Sequence, residues 1–141
     1  MELLIRKLRS DARPPARSTE GATGFDLYAC LDAPLVLTAA PQMVPTGIAI
    51  EFPRGFDAQV RPRSGLSSKG VGVAFGTIDA DYRGELLVTM WTFGATDVYE
   101  LAHHDRIAQL VFAVLAPVEV HEVGELSATL RGEGGHGSTG R

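Results

Sequence analysis

The stretch RPRSGLSSKG, residues 61–70, sets three cations and three serine hydroxyls around two glycines with no acid among them. In a chain of net charge −4 this is a local reversal of sign. A turn that offers the Arg63 guanidinium, the Ser64 hydroxyl and the backbone N–H groups around Gly65 suits phosphate oxygens, because charged donors make the stronger hydrogen bonds. An ordinary solvated loop is the alternative. Residues 76–86, GTIDADYRGEL, carry two aspartates and a tyrosine ahead of a long apolar run. Asp79 follows an apolar pair and can stand at a strand end, where it could take a proton from water. Asp81 fits a turn in which it bonds its own backbone. On residue types alone, either aspartate could be the base. Tyr82 is either a half-buried aromatic or a flat wall for a sugar or base.

Three further polar positions interrupt apolar runs. Asp26 lies between Phe25 and Leu27 and needs a hydrogen-bond or charged partner there, whether for structure or for a site. Gln109 offers an amide donor from within IAQLVF. His103 and His104 invite a metal reading, but neighbours on a strand point to opposite faces, so one ion does not easily take both. The chain ends in RGEGGHGSTGR, residues 131–141, with five glycines beside Arg131, His136, Ser138 and Thr139. That composition fits either a tail without packing or a loop that approaches an anion closely.

These residues need a frame, and 141 residues suffice for one domain. Sixteen glycines and eight prolines cut the chain into short runs rich in Val, Ile, Leu and Phe. The expected strands are LLIRKL, GFDLYAC, PLVL, MVPTGIAIEF, FDAQVRP, GVGVAF, ELLVTMWTF, DVYEL, RIAQLVFAVL and PVEVHEV, an all-β sandwich or barrel. RIAQLVFAVL also places Ile107, Leu110, Val111 and Val114 at helical spacing; its β-branched content and Pro117 favour a strand. ELLVTMWTF reads as apolar on both faces. SDARPPARSTEG and the glycine-rich end are expected at the surface. The acidic balance, with a pI near 5.5, argues against a general footprint for nucleic acid or anionic membrane. A single cysteine, Cys30, allows no internal disulfide and fits a reducing compartment. With no signal peptide and no apolar run of about 20 residues, the expectation is a soluble, cytoplasmic protein.

In order along the chain, ATGFDLYA, PRSGLSSKG, GTIDADYRG, DRIAQL and RGEGGHGSTG resemble the five motifs of the trimeric dUTP pyrophosphatase (dUTPase) family. The resemblance spans residues 22–140, and VPTGIAIEFPRGF between motifs is also similar to the family. It implies a distorted jelly-roll, or β-clip barrel, over residues 1–130. Residues 131–141 would form a flexible glycine-rich arm that closes over the site. It also implies a homotrimer with sites shared between subunits, and hydrolysis of dUTP to dUMP and pyrophosphate with Mg²⁺. On the same basis Asp79 is the base that deprotonates the attacking water, and Tyr82 packs against deoxyribose. Gly76, Thr77, Ile78 and Leu87 meet the base. Arg63, Ser64, Gly65 and Gln109 contact the α- and β-phosphates. Arg131, Ser138 and Thr139 close over the γ-phosphate, His136 stacks on uracil, and Asp26 reaches the metal through water.

Two departures from the family pattern stand out. The hairpin GVGVAFG is short and lacks the asparagine that some relatives use to read uracil, and His136 replaces the usual phenylalanine of the fifth motif. The rival readings are a dCTP deaminase-like enzyme and a non-catalytic dUTP-binding or sensing trimer. The first needs a glutamate where Thr89 stands; the second is expected to lose Asp79 or the arm, and both are present.

Overall fold

The computed structural model describes residues 1–135. Among them the chain runs β1 (Leu4–Lys7), β2 (Phe25–Tyr28), β3 (Leu35–Leu37), β4 (Gln42–Pro45), β5 (Ile48–Glu51) and β6 (Phe56–Arg61). One helical turn, α1 (Ser64–Ser67), precedes β7 (Val71–Val73), β8 (Gly76–Ile78), β9 (Leu87–Thr92), β10 (Tyr99–Leu101) and β11 (Arg106–Val114). The strands pair antiparallel in four small sheets, ordered β2-β11-β6-β8, β4-β9-β7, β1-β5 and β10-β3, none of them closed into a barrel. Leu27, Leu37, Ile48, Met90, Leu101, Ile107 and Leu110 are wholly buried where the sheets face each other. Each such side chain contributes about 1.5–3 kcal/mol through burial. Phe112 closes one end of this core, its ring edge-on to Phe25 and Phe52.

The ambiguous run is strand throughout, and its helix-like spacing has a physical origin. The register of β11 on β2 shifts between Arg106 and Ala108, a bulge that lets Ile107 and Ala108 both turn inward. Beyond it β11 is central, between β2 and β6, so Leu110 and Val111 are buried on opposite faces. The pattern that resembled a helix is thus a two-sided strand with one extra residue.

Three expectations need correction. MVPTGIAIEF is two strands, because Gly47 adopts φ +67° and turns the chain between β4 and β5. PVEVHEV forms no strand; Val118, Val120 and Val123 are exposed and have no neighbouring strand in the single chain. β9 carries apolar side chains on both faces, as its sequence reads: Val88 and Met90 point inward beside Thr92, while Leu87 is exposed and Trp91 half-buried on the other face. His103 and His104 are not on a strand at all. They occupy the turn before β11, His104 at φ +69°, with the two rings stacked at 3.7 Å. The SDARPPARSTEG segment is at the surface apart from buried Ala12.

Candidate active site

A basic cluster forms where β2, β11 and the chain after β6 meet. Asp26, on β2, is buried and supplies its organising charge: Oδ1 accepts from Arg63 Nε at 3.0 Å, while Oδ2 accepts from the Ser18 hydroxyl at 2.7 Å and faces Arg106 Nη1 at 3.4 Å. Arg63 also donates from Nη1 to the Arg106 carbonyl at 3.0 Å, which fixes the plane of the guanidinium. Gln109 pairs with Asp26 across β2 and β11, and its amide donates to the Pro62 carbonyl at 2.9 Å. Ser64 and Gly65 open α1, where the first N–H groups of a helical turn have no partner within it. Beside them lies a surface hollow of about 370 Å³ whose walls carry Arg63, Lys69 and Arg106 against Asp105 as the one acid. The local reversal of sign seen in the sequence is therefore a reversal in space as well.

The second half of the site is built on β8, the edge strand of the same sheet. Asp79 follows the end of that strand directly and is exposed. Tyr82 N–H donates to the Asp79 carbonyl at 3.0 Å, which turns the chain back so that the Tyr82 ring stands over a hollow of about 220 Å³. Val60, Gly76, Thr77, Ile78, Glu85, Leu86 and Leu87 complete that hollow. The ring lies across Gly84, where an added Cβ would run into the phenol oxygen, so a larger residue there would displace the ring. Contrary to expectation, the Asp81 side chain makes no hydrogen bond among the described residues; Arg83 Nη1 braces the turn instead, on the Ala80 and Tyr82 carbonyls at 2.8 and 3.0 Å. On its other side Asp79 borders a hollow of about 410 Å³ with Arg54, Asp57 and Asp81.

Strand register sets how far apart the two halves lie. Gln109 pairs with Arg61, Ala113 with Asp57, and Ala58 with Ile78. Asp79 is thus two strands across and four residues along from Gln109, about 16 Å away for strands about 4.8 Å apart with about 3.4 Å per residue. One phosphate cannot touch both groups of the same chain.

The dUTPase family model matches residues 10–140. The chain belongs to the dUTPase family. A deoxyuridine 5′-triphosphate nucleotidohydrolase of Hydrogenobaculum sp. (strain Y04AAS1) is 48% identical over 143 residues, covering 99% of both chains. Another, from Anaplasma marginale (strain St. Maries), is 48% identical over 130 residues, covering 89% of this chain and 88% of that one. The structure of the Staphylococcus bacteriophage 80alpha dUTPase with dUpNHpp superposes with a TM-score of 0.87 at 27% identity, covering 99% of each chain. The jelly-roll-like β-clip expected from the motifs is the fold of this dUTPase-family chain.

Of the residues singled out in the sequence, Arg63, Ser64, Gly65, Gln109 and Asp26 come together in the basic cluster, and Gly76, Thr77, Ile78, Asp79, Tyr82 and Leu87 around the tyrosine hollow. Arg131 is exposed, its Nε donating to the Gly134 carbonyl at 2.7 Å. His136, Ser138 and Thr139 lie outside the described residues. The sequence reading missed Ser18 and Arg106, which share Asp26, and Gly24, where a Cβ would fall 2.3 Å from Gln109 Oε1. Arg106 was legible as a cation beside Gln109; the other two have no signal apart from the contact itself.

A group of metal-type donors, Asp11, Cys30 and His103, lies elsewhere, its donor atoms within 4.8 Å of one another. Every member is engaged already. Arg9 grips Asp11 with two hydrogen bonds, of 3.0 and 2.8 Å, which hold its carboxyl down to about 2. His103 Nδ1 accepts from Leu31 N–H at 3.0 Å, so a neutral ring carries its proton on the Nε2 that faces Asp11. Burial pushes the Cys30 thiol up, against the thiolate a metal needs.

Proposed function

We propose that this chain hydrolyses dUTP to dUMP and pyrophosphate. The observation that carries the reading is Asp79, an exposed carboxylate with no side-chain partner among the described residues, at the rim of a hollow walled by Tyr82. Water held at Asp79 gives up a proton to the carboxylate as its oxygen bonds the α-phosphorus; the bond to the bridging oxygen breaks and pyrophosphate leaves. The Tyr82 ring takes the deoxyribose face and leaves no room for a 2′-hydroxyl. Gly76, Thr77, Ile78 and Leu87 meet uracil through the backbone. Arg63, Ser64, Gly65 and Gln109 bind the α- and β-phosphates, and Arg131, His136, Ser138 and Thr139 belong to the arm that covers the nucleotide. Supporting the substrate assignment are the relatives' names, deoxyuridine 5′-triphosphate nucleotidohydrolases at 48% identity.

The donor set fits Mg²⁺ held mainly by the triphosphate. Asp26 Oδ1 accepts only from Arg63 among the described residues, which leaves it a lone pair for a metal-bound water. The ion, when bound, offsets charge on the phosphate oxygens. Cys30, a free and buried thiol, suits a reducing cytoplasm. Pyrophosphate release compared across dUTP, dTTP, dCTP and UTP tests the reading. Preference for dUTP is the expected result, and ammonia release from dCTP would replace it with the deaminase.

The separation of about 16 Å between Gln109 and Asp79 supports a site completed by another copy of the chain. Exposed Val118, Val120 and Val123, at near-alternate positions past β11, support strand pairing between copies as well. We expect a homotrimer by multi-angle light scattering at micromolar concentration. An active monomer would contradict the shared site.

A further inference from the structure

We propose that Glu85 is a positioning residue for sugar selection, holding the Tyr82 wall on the β4–β5 turn; the inference rests on the dUTP reading above. Two different parts of Glu85 make the connection. Its backbone carbonyl accepts the Tyr82 hydroxyl at 3.1 Å, and its carboxylate Oε1 accepts the N–H of Gly47 at 2.7 Å. The next residue is clamped to the same turn at both ends: Leu86 N–H donates to the Ile48 carbonyl at 2.9 Å, and the Leu86 carbonyl accepts the buried Thr46 hydroxyl at 2.6 Å.

The turn that receives these bonds has a firm backing. Gly47 is buried at φ +67°, and even a Cβ there would fall 2.8 Å from both Ala12 Cβ and Cys30 Sγ. The β4–β5 turn therefore cannot yield toward the core. Loop 82–86 is joined to that turn through Glu85 and Leu86, while Arg83 Nε faces Glu51 at the end of β5 at 3.5 Å, and Asp79, Asp81 and Tyr82 are exposed. The phenol ring has no other hydrogen-bond anchor among the described residues, and a ring that drifts by about 1 Å makes space for an extra hydroxyl on the sugar. Glu85 also lines the tyrosine hollow, so its side chain cannot be dismissed as part of a remote scaffold.

Steady-state kinetics of full-length Glu85→Ala, Glu85→Gln and Thr46→Val with dUTP and UTP test this, alongside melting curves. In Glu85→Ala the ratio of kcat/KM for dUTP over UTP is expected to fall at least about tenfold, through a raised KM for dUTP and a gain on UTP. Glu85→Gln is expected to stay within about threefold of the parent ratio, because its amide oxygen still accepts from Gly47 N–H. Thr46→Val, equal in volume but without the hydroxyl, should shift the ratio in the same direction by less. If Glu85→Ala does not fold, Thr46→Val decides. A purely structural role would lower the melting temperature and leave the dUTP/UTP ratio unchanged; that result in a folded Glu85→Ala, or in Thr46→Val, overturns the inference while the dUTP reading stands. A parent chain that releases no pyrophosphate from dUTP overturns both.

Discussion

Asp79→Asn is expected to bind a non-hydrolysable dUTP analogue about as tightly as the parent and to turn over at least about a hundredfold more slowly, the scale of losing a general base. The change is almost isosteric, and the Asp79 side chain is exposed with no protein partner among the described residues, so neither the fold nor the turn closed by Tyr82 N–H depends on its charge. What the amide lacks is a basic oxygen to take the proton of the attacking water. Affinity should hold because the residues proposed to meet the sugar and the phosphates, Tyr82, Arg63 and Gln109, do not change. The control is Asp81→Asn. Asp81 is exposed, makes no hydrogen bond among the described residues and borders only the 410 Å³ hollow, so its loss is expected to cost no more than a few-fold. Titration calorimetry with the analogue and single-turnover pyrophosphate release separate binding from chemistry. Near-parental turnover in Asp79→Asn together with a collapse in Asp81→Asn would exchange the two roles.

The contrast between those aspartates marks how far the sequence could be read. Residue types near Asp79 left either carboxylate open as the base; only the ordered motifs favoured the first, which directly follows the end of β8. The strand set was legible because short β-branched runs between glycines and prolines have few other stable outcomes. Where the reading failed, it failed on context that a local pattern lacks. PVEVHEV alternates like a strand but finds no partner within its own chain, and His103 with His104 was placed on a strand when a left-handed turn stacks them instead. The polar residues at the site were visible as interruptions of apolar runs. Their distribution into two clusters was not, since it follows from β8 lying two strands away from β11 in the sheet. Ser18, Gly24, Glu85 and Thr46 leave no trace in the sequence because their contacts, with Asp26, Gln109, Gly47 and Leu86, are made only once the chain is folded.

Deleting residues 131–141 is expected to leave the fold and the oligomer intact while turnover collapses by at least about a hundredfold. The structural half of the expectation follows from the core: among the described residues the last strand, β11, ends at Val114, no wholly buried side chain lies beyond that strand, and Leu126 and Leu130 are exposed in the chain before the cut. The functional half follows from what the segment carries. Arg131 is exposed and, among the described residues, bonded only to the Gly134 carbonyl, so its guanidinium can be given up to a phosphate at small cost. Together with Ser138 and Thr139 it would position the γ-phosphate and help to exclude water from the α-phosphorus. Glycine makes ordering such a segment expensive without a ligand, so amide exchange in 131–141 should slow when a dUTP analogue is bound. His136→Ala should cost less than the deletion, because it removes one stacking surface and leaves the charged contacts, and His136→Phe should match or exceed the parent by enlarging that surface. Full activity in the truncated chain, with equal exchange in the free and bound states, would return these eleven residues to the alternative their composition first allowed, a tail without packing.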